Sequence, residues 1–218
     1  MSAKSIGLSD ELHAYLVAHN GPQDPIVTEL IAQTRARLAD QAKMQVAPEQ
    51  AAFLTFLTRL MGVRHAIEVG TFTGLSALSI ARGLADGGSL ICCDISAEYT
   101  SIARDSWHRA GVADRIELRL GPAAQTLAEL PLQPRFEFAF IDADKSSYPT
   151  YWAELVPRMR AGGVIAVDNV LRAGRVLHPT DPDTEAMIAF NDLVLADDRV
   201  ESVMLPLADG LTLARRLP

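Results

Sequence analysis

Cysteine is nearly absent: Cys92 and Cys93 are the only two in 218 residues, and they are adjacent. Neighbouring residues on a strand point to opposite faces, so the pair supplies no disulfide framework. Long apolar runs are also missing, and no stretch approaches the roughly 20 residues that a membrane-spanning helix needs. The opening MSAKSIGLSDELHAYL turns polar within a few residues. It has neither the apolar core nor the small-residue cleavage site of a signal peptide. Positive charge is in deficit, with 20 Lys+Arg against 27 Asp+Glu and a formal net charge of −7. A polyanion binder normally carries a basic face, which argues against nucleic acid or an anionic membrane as partner. The expectation is a soluble, cytoplasmic protein.

Core-forming material is plentiful, at 49% hydrophobic residues. That suffices for one large domain. No Pro/Ser-rich linker, charge block or internal repeat interrupts the chain, so residues 1–218 read as one domain. A helical extension is expected over 1–62 and an α/β core over 63–218. Asp24-Pro25 is a good helix start, an N-cap acceptor followed by proline. Apolar residues then recur at helical spacing from Pro25 to Lys43, and a second helix opens at Pro48 with Phe53, Leu54, Phe56, Leu57 and Leu60.

From His65 the pattern changes to short apolar runs alternating with amphipathic stretches. Strands are expected at Ala66–Val69, Leu90–Cys93, Ile116–Leu120, Phe136–Ile141 and Val164–Val167. Helices are expected between them at Leu75–Leu84, Ala97–Arg109, Ala123–Leu130 and Tyr148–Met159. Unbroken apolar strands separated by helices imply a parallel sheet covered on both faces. The strand-like runs Val200–Leu207 and Leu211–Arg216 are joined only by Ala208-Asp209-Gly210. So short a link makes a hairpin and cannot make a parallel crossover, so the sheet should end in a reversed strand. That architecture resembles the S-adenosylmethionine-dependent methyltransferases: Rossmann-like, class I, seven strands, mostly parallel.

Glu68-Val-Gly70-Thr-Phe72-Thr-Gly74 sits where the first strand meets the first core helix. Glycines there let the backbone turn sharply and approach a ligand, or serve tight strand–helix packing. Phe72 stands where the dinucleotide fingerprint needs its second glycine, so a ligand without pyrophosphate is favoured. Asp94 ends the second strand, 24 residues beyond Gly70. An acid there can accept both hydroxyls of a ribose. Its competing role, capping the next helix, better suits Ser96. Glu68 is an acid inside an apolar strand, either bonded to nearby backbone or paired with a cationic ligand.

The strongest signal lies at the ends of two later strands, Asp142-Ala143-Asp144-Lys145 and Asp168-Asn169. Ligands of open parallel sheets bind outside the carboxyl ends of strands. If those strands are neighbours, Asp142, Asp168 and Asn169 converge as hard oxygen donors that suit Mg2+, Mn2+ or Ca2+ and leave positions for water or substrate. Helix capping and solvation are the plainer explanations for any one of them. Lys145 is either an ion-pair partner of this cluster or a base at its mouth.

Four motifs in order carry a resemblance that runs nearly end to end: Lys43-Met-Gln-Val-Ala-Pro-Glu-Gln50, Ile67-Glu-Val-Gly-Thr-Phe-Thr-Gly-Leu-Ser-Ala77, Phe140-Ile-Asp-Ala-Asp-Lys145 and Gly162-Gly-Val-Ile-Ala-Val-Asp-Asn169. The chain resembles the cation-dependent O-methyltransferases, the family of catechol and plant caffeoyl-CoA O-methyltransferases, and looks most like the bacterial members. The resemblance implies that Val46 touches S-adenosylmethionine through its backbone and that Glu68, Gly70, Thr71 and Ser76 hold its methionine part. Asp94 would hold the ribose and Ala123 the adenine, with Asp142 near both cofactor and metal. Asp142, Asp168 and Asn169 match the metal ligands and Lys145 the base. Lys4 would lie near the acceptor, a hydroxyl of a vicinal dihydroxy aromatic of catechol or caffeoyl type. Trp152 and the segment Leu171–Asp183 depart from the plant pattern, and both are expected near that acceptor. A homodimer is expected from the resemblance, with Phe53, Phe56 and Leu57 as surplus apolar positions. The alternative is a nicotinamide-dependent oxidoreductase, against which stand Phe72, the terminal hairpin and the lack of a Tyr-x-x-x-Lys pair.

Overall fold

The computed structural model describes residues 6–21 and 24–218. Lys4 lies outside them. Seven strands form one sheet: β1 His65–Val69, β2 Ser89–Asp94, β3 Ile116–Leu120, β4 Phe136–Ile141, β5 Met159–Asp168, β6 Val200–Leu205 and β7 Leu211–Arg216. Their spatial order is β3-β2-β1-β4-β5-β7-β6. The first five pair in parallel, and β7 runs antiparallel to both of its neighbours. The expected sheet with a reversed final strand is therefore present. The order reverses at β1, whose two neighbours are β2 and β4. Chain connections there diverge to opposite sides and leave a crevice at the strand ends.

Helices cover both faces. Beside the N-terminal α1 Asp10–Ala18, α2 Pro25–Leu38 and α3 Pro48–Leu60 stand α4 Leu75–Gly83, α5 Ala97–Arg109, α6 Ala123–Glu129, α7 Tyr148–Leu155 and α8 Pro182–Ala196. Strand alternation splits the core in two. Phe138 and Phe140 pack with Leu54, Leu78 and Trp107 on one face. Ala139 and Ile141 pack with Tyr148, Trp152 and Phe190 on the other.

Local chemistry explains the helix starts. Asp24 Oδ1 accepts the Ile26 N–H at 2.8 Å, with Pro25 in the first turn. The Asp24 carboxylate also pairs with Arg82, tying α2 to α4. Ser96 Oγ accepts the Tyr99 N–H at 3.1 Å, so serine and not Asp94 caps α5.

Two expectations need correction, and one element was not foreseen. The stretch Tyr148–Met159 is not one helix: α7 ends at Leu155, a 3-10 turn carries Val156–Arg158, and Met159 already begins β5. Pro157 contributes to the break because its ring removes a backbone donor, while Val156 before it keeps helical dihedrals (φ −51°, ψ −47°) and the chain turns extended only at Met159. The helix from Pro25 stops at Leu38, where Ala39 has φ +44°, and continues to Met44 only as 3-10 turns. Helix α8 was not among the expected elements. Asp181 starts it by accepting the Thr184 N–H at 2.9 Å, followed by Pro182.

Candidate active site

A cleft of about 890 Å³ opens at the carboxyl ends of β1, β2, β4 and β5. Its walls include Val46, Gly70, Thr71, Ser76, Asp94, Ala123, Asp142, Lys145, Asp168 and Asn169. Ten of the eleven site residues expected from the sequence thus meet in one place. The eleventh, Glu68, is fully enclosed beside it.

The turn after β1 is shaped by close approaches. Gly70 has φ +92°, and a Cβ there would sit 1.9 Å from the Asp142 carbonyl oxygen. A side chain at Gly70 would therefore push β1 and β4 apart where the cleft narrows. Gly74 has φ +80° and lies against Ala103 and Trp107 of α5, and its carbonyl accepts the Trp107 indole N–H at 3.1 Å. These glycines serve packing and the turn together. Phe72, at φ +51°, takes a left-handed conformation unusual for an aromatic residue. Two backbone donors hold it there: Thr71 N–H at 2.9 Å and Phe72 N–H at 2.7 Å both donate to Asp94 Oδ2. Asp94 Oδ1 accepts the Ser96 N–H at 2.7 Å. Asp94 therefore organises the turn whatever else it binds, and it lines the cleft. Phe72 and Tyr99 meet edge to face at 4.9 Å, and with the exposed Ile95 they form an apolar wall beyond Asp94.

Glu68 is paired across the sheet with Cys92 and has no accessible surface. Neither carboxylate oxygen has a hydrogen bond of ordinary geometry. Burial pushes its pKa up to about 7, and the Asp142 charge adds to the rise. The neighbouring side chains of Ser76, Thr71 and Cys92 pull it partly back. An unpartnered buried acid of this kind lacks a cation or a donor. Thr71 and Ser76 connect it to the cleft wall.

The second half of the cleft is a charged knot. Lys145 Nζ donates to Asp142 Oδ1 at 3.0 Å, to Asn169 Oδ1 at 2.6 Å and to the Tyr148 hydroxyl at 2.6 Å. Asp168 is 2% exposed and accepts the Asn169 N–H at 2.7 Å. Burial first, then the Asp142 charge, raises the Asp168 pKa to about 7. Gln50, Asn169 N–H and Lys145 oppose that rise. Asn169 has φ +59°, a left-handed conformation that asparagine tolerates, and the chain turns there straight after β5. Asp144 has a different partner: Tyr151 donates to its Oδ1 at 2.6 Å.

Among the described residues no three His, Cys, Asp or Glu side chains gather into a metal cluster. A cation would rest on the Asp142 and Asp168 carboxylates, the Asn169 amide oxygen, and water or acceptor. All are hard oxygens, which fit Mg2+ or Mn2+ and do not fit zinc. The lysine ammonium already bonds two of the three, standing where positive charge is wanted.

Several residues at or behind the cleft wall were missed in the sequence. Tyr148, buried behind Lys145, follows it by three residues at the start of α7, a spacing that could have exposed it. Gln50 is 1% exposed and lines the cleft, its Nε2 facing Asp168 without a hydrogen bond of ordinary geometry. Arg172, Ala208 and Asp209 close the far side. The hairpin supports that side: Leu171 N–H donates to Asp209 O at 3.0 Å, and Val170 N–H to Gly210 O at 3.2 Å. Trp152 corrects its expected place near the acceptor. It is 1% exposed in the core, donates its indole N–H to Asp197 at 2.8 Å and packs on Phe190, while Tyr151 lines the cleft. Of the segment Leu171–Asp183, only Arg172 reaches the cleft wall.

The sequence profile of the family described as O-methyltransferase matches residues 17–217. A probable caffeoyl-CoA O-methyltransferase 1 of Dictyostelium discoideum is 40% identical over 209 residues, covering 93% of this chain and 90% of that protein. An O-methyltransferase from Klebsiella pneumoniae, described as putative in its own structure, superposes with a TM-score of 0.87 at 32% identity over 95% of this chain and 97% of that one. The O-methyltransferase of Bacillus cereus, solved in complex with SAH, gives 0.85 at 32% identity over 94% and 97%.

Proposed function

Because the chain belongs to this O-methyltransferase family, whose members transfer methyl groups from S-adenosylmethionine, we propose that it methylates one hydroxyl of a vicinal dihydroxy aromatic, of catechol or caffeoyl type, with a divalent cation held by Asp142, Asp168 and Asn169. One observation carries this reading: two carboxylates, an amide oxygen and a lysine ammonium converge at the ends of β4 and β5, in the same cleft as the glycine turn and Asp94. The family assignment leaves the nicotinamide alternative without support.

The donor half is proposed as follows. Val46 backbone, Gly70, Thr71 and Ser76 bind the methionine part, with Glu68 paired to its amino group. Asp94 accepts from the ribose hydroxyls, while Ala123 and the Ile95–Tyr99 wall enclose the adenine. When bound, the cation stabilises negative charge on the acceptor oxygen, and the sulfonium donor supplies an electrophilic methyl group whose C–S bond breaks as the O–C bond forms.

The remaining chemistry belongs to the chain. A neutral phenol is a poor nucleophile with a free pKa near that of tyrosine, so its proton must leave. Lys145 Nζ takes that proton as general base. Asp142, on the wall shared by both halves, fixes the acceptor against the donor and makes the attack effectively intramolecular. Magnesium is the favoured metal, and the cytoplasm the favoured setting. Among the described residues no helix is long and apolar enough to cross a membrane. A homodimer is proposed through α3, where Phe56 and Leu60 are 64% and 70% exposed. Phe53 and Leu57 instead pack against the protein's own core.

The test is a panel of acceptors with a labelled methyl donor. Catechols should be methylated and matched monophenols spared, since one hydroxyl forfeits the chelate. Equal rates on both would remove the vicinal-diol requirement.

A further inference from the structure

We propose that Tyr148 is the residue that positions the Lys145 amine for proton transfer once a cation is in place. The inference rests on the methyl-transfer reading above. Three N–H bonds of the ammonium meet three acceptors, Asp142 Oδ1 at 3.0 Å, Asn169 Oδ1 at 2.6 Å and Tyr148 OH at 2.6 Å. Two of those acceptors are the oxygens that a divalent cation takes. A lysine cannot share them without like-charge repulsion. Tyr148 is the one partner of the three that the cation leaves untouched.

The tyrosine is built to stay still. It has no exposed surface, and its ring meets Phe190 edge to face at 5.4 Å. The Lys145 nitrogen lies 4.8 Å from the ring centroid, beyond the hydroxyl end of the ring. The hydroxyl proton is directed elsewhere: Tyr148 OH donates to the Asp168 backbone carbonyl at 3.3 Å. It therefore offers Lys145 only a lone pair. The lysine nitrogen donates one N–H to that oxygen, and this bond fixes where Nζ stands on the cleft wall. Moreover, both anchors of the hydroxyl belong to the site, since Asp168 is itself a proposed metal ligand.

Tyr148→Phe keeps the ring and removes only the hydroxyl. With magnesium present, kcat on catechol should fall about tenfold, while KM for both substrates and the affinities for Mn2+ and S-adenosylmethionine stay within about twofold. The loss should shrink for a nitrocatechol, whose hydroxyl needs less help to ionise. In a Lys145→Ala background the same change should cost nothing further. Without turnover, acetic anhydride should label Lys145 several-fold faster in Tyr148→Phe than in wild type, with magnesium and S-adenosylhomocysteine bound. Unchanged kcat on every acceptor, a loss equal across catechols, or an added loss in the Lys145→Ala background would each overturn the proposal. A wild-type enzyme that transfers no methyl group to any catechol in magnesium overturns the underlying reading instead, and this inference with it.

Discussion

Raising the pH from 6.0 to 7.5 should tighten S-adenosylmethionine binding through one buried side chain, Glu68. Its carboxyl is pushed up to about 7 by burial, against an ordinary value of 4.5. With that pKa it is about 9% ionised at pH 6.0 and about 76% at pH 7.5, while an α-amino group remains mostly protonated. If Glu68 pairs with the cofactor's ammonium only when ionised, the dissociation constant should improve roughly five- to sixfold across that range, once the partial loss of the ammonium proton at pH 7.5 is counted. Calorimetry at pH 7.0 in two buffers of different ionisation enthalpy should show release of about half a proton per cofactor bound. Glu68→Gln should bind more weakly at pH 7.5, with no pH slope and no proton release. The unliganded protein carries the opposite trend. A carboxyl raised in the folded state contributes stability that is full below pH 4.5 and lost as the pH rises to 7. The shift amounts to about 3 kcal/mol, so unliganded Glu68→Gln should melt above wild type at pH 8. A wild-type affinity flat from pH 6.0 to 7.5, or the same slope in Glu68→Gln, would refute the pairing.

Other outcomes follow from the same geometry. Asp94→Ala should weaken cofactor binding by about 1–3 kcal/mol in calorimetry. It should also lower the melting temperature without ligand, because the Thr71 and Phe72 N–H groups lose their acceptor. Lys145→Ala should keep cofactor binding and lose roughly two to four orders of magnitude in turnover, with a smaller loss for acidic catechols. Light scattering at micromolar concentration should report a dimer, and Phe56→Glu a monomer; a wild-type monomer would remove the interface.

The parts legible in the sequence are those governed by short-range pattern. Unbroken apolar runs such as Phe136–Ile141 announce buried parallel strands, and the Ala208-Asp209-Gly210 link forces the antiparallel ending. Acids appended to β4 and β5 announce the charged knot, because strand ends converge wherever strands are neighbours. What stayed hidden depends on packing between distant elements. Gln50 reaches the cleft from α3, and Arg172 and Asp209 reach it through a hairpin that grips the turn after Asn169. Trp152 shows the converse, since Tyr151 beside it lines the cleft while helical rotation carries Trp152 into the core. The multiple bonds of Asp94 were also out of reach, because its donors lie 22 and 23 residues away on another strand's turn.

The central claim is that Asp142, Asp168 and Asn169 hold a cation on which methyl transfer depends. It is tested by following labelled methyl transfer to catechol in excess chelator and after magnesium is restored. Transfer should cease in chelator and return with magnesium or manganese, while Asp168→Ala and Asn169→Ala stay inactive in both and still bind S-adenosylmethionine. Full activity in chelator would contradict the account, leaving a methyltransferase whose carboxylates serve only to hold Lys145.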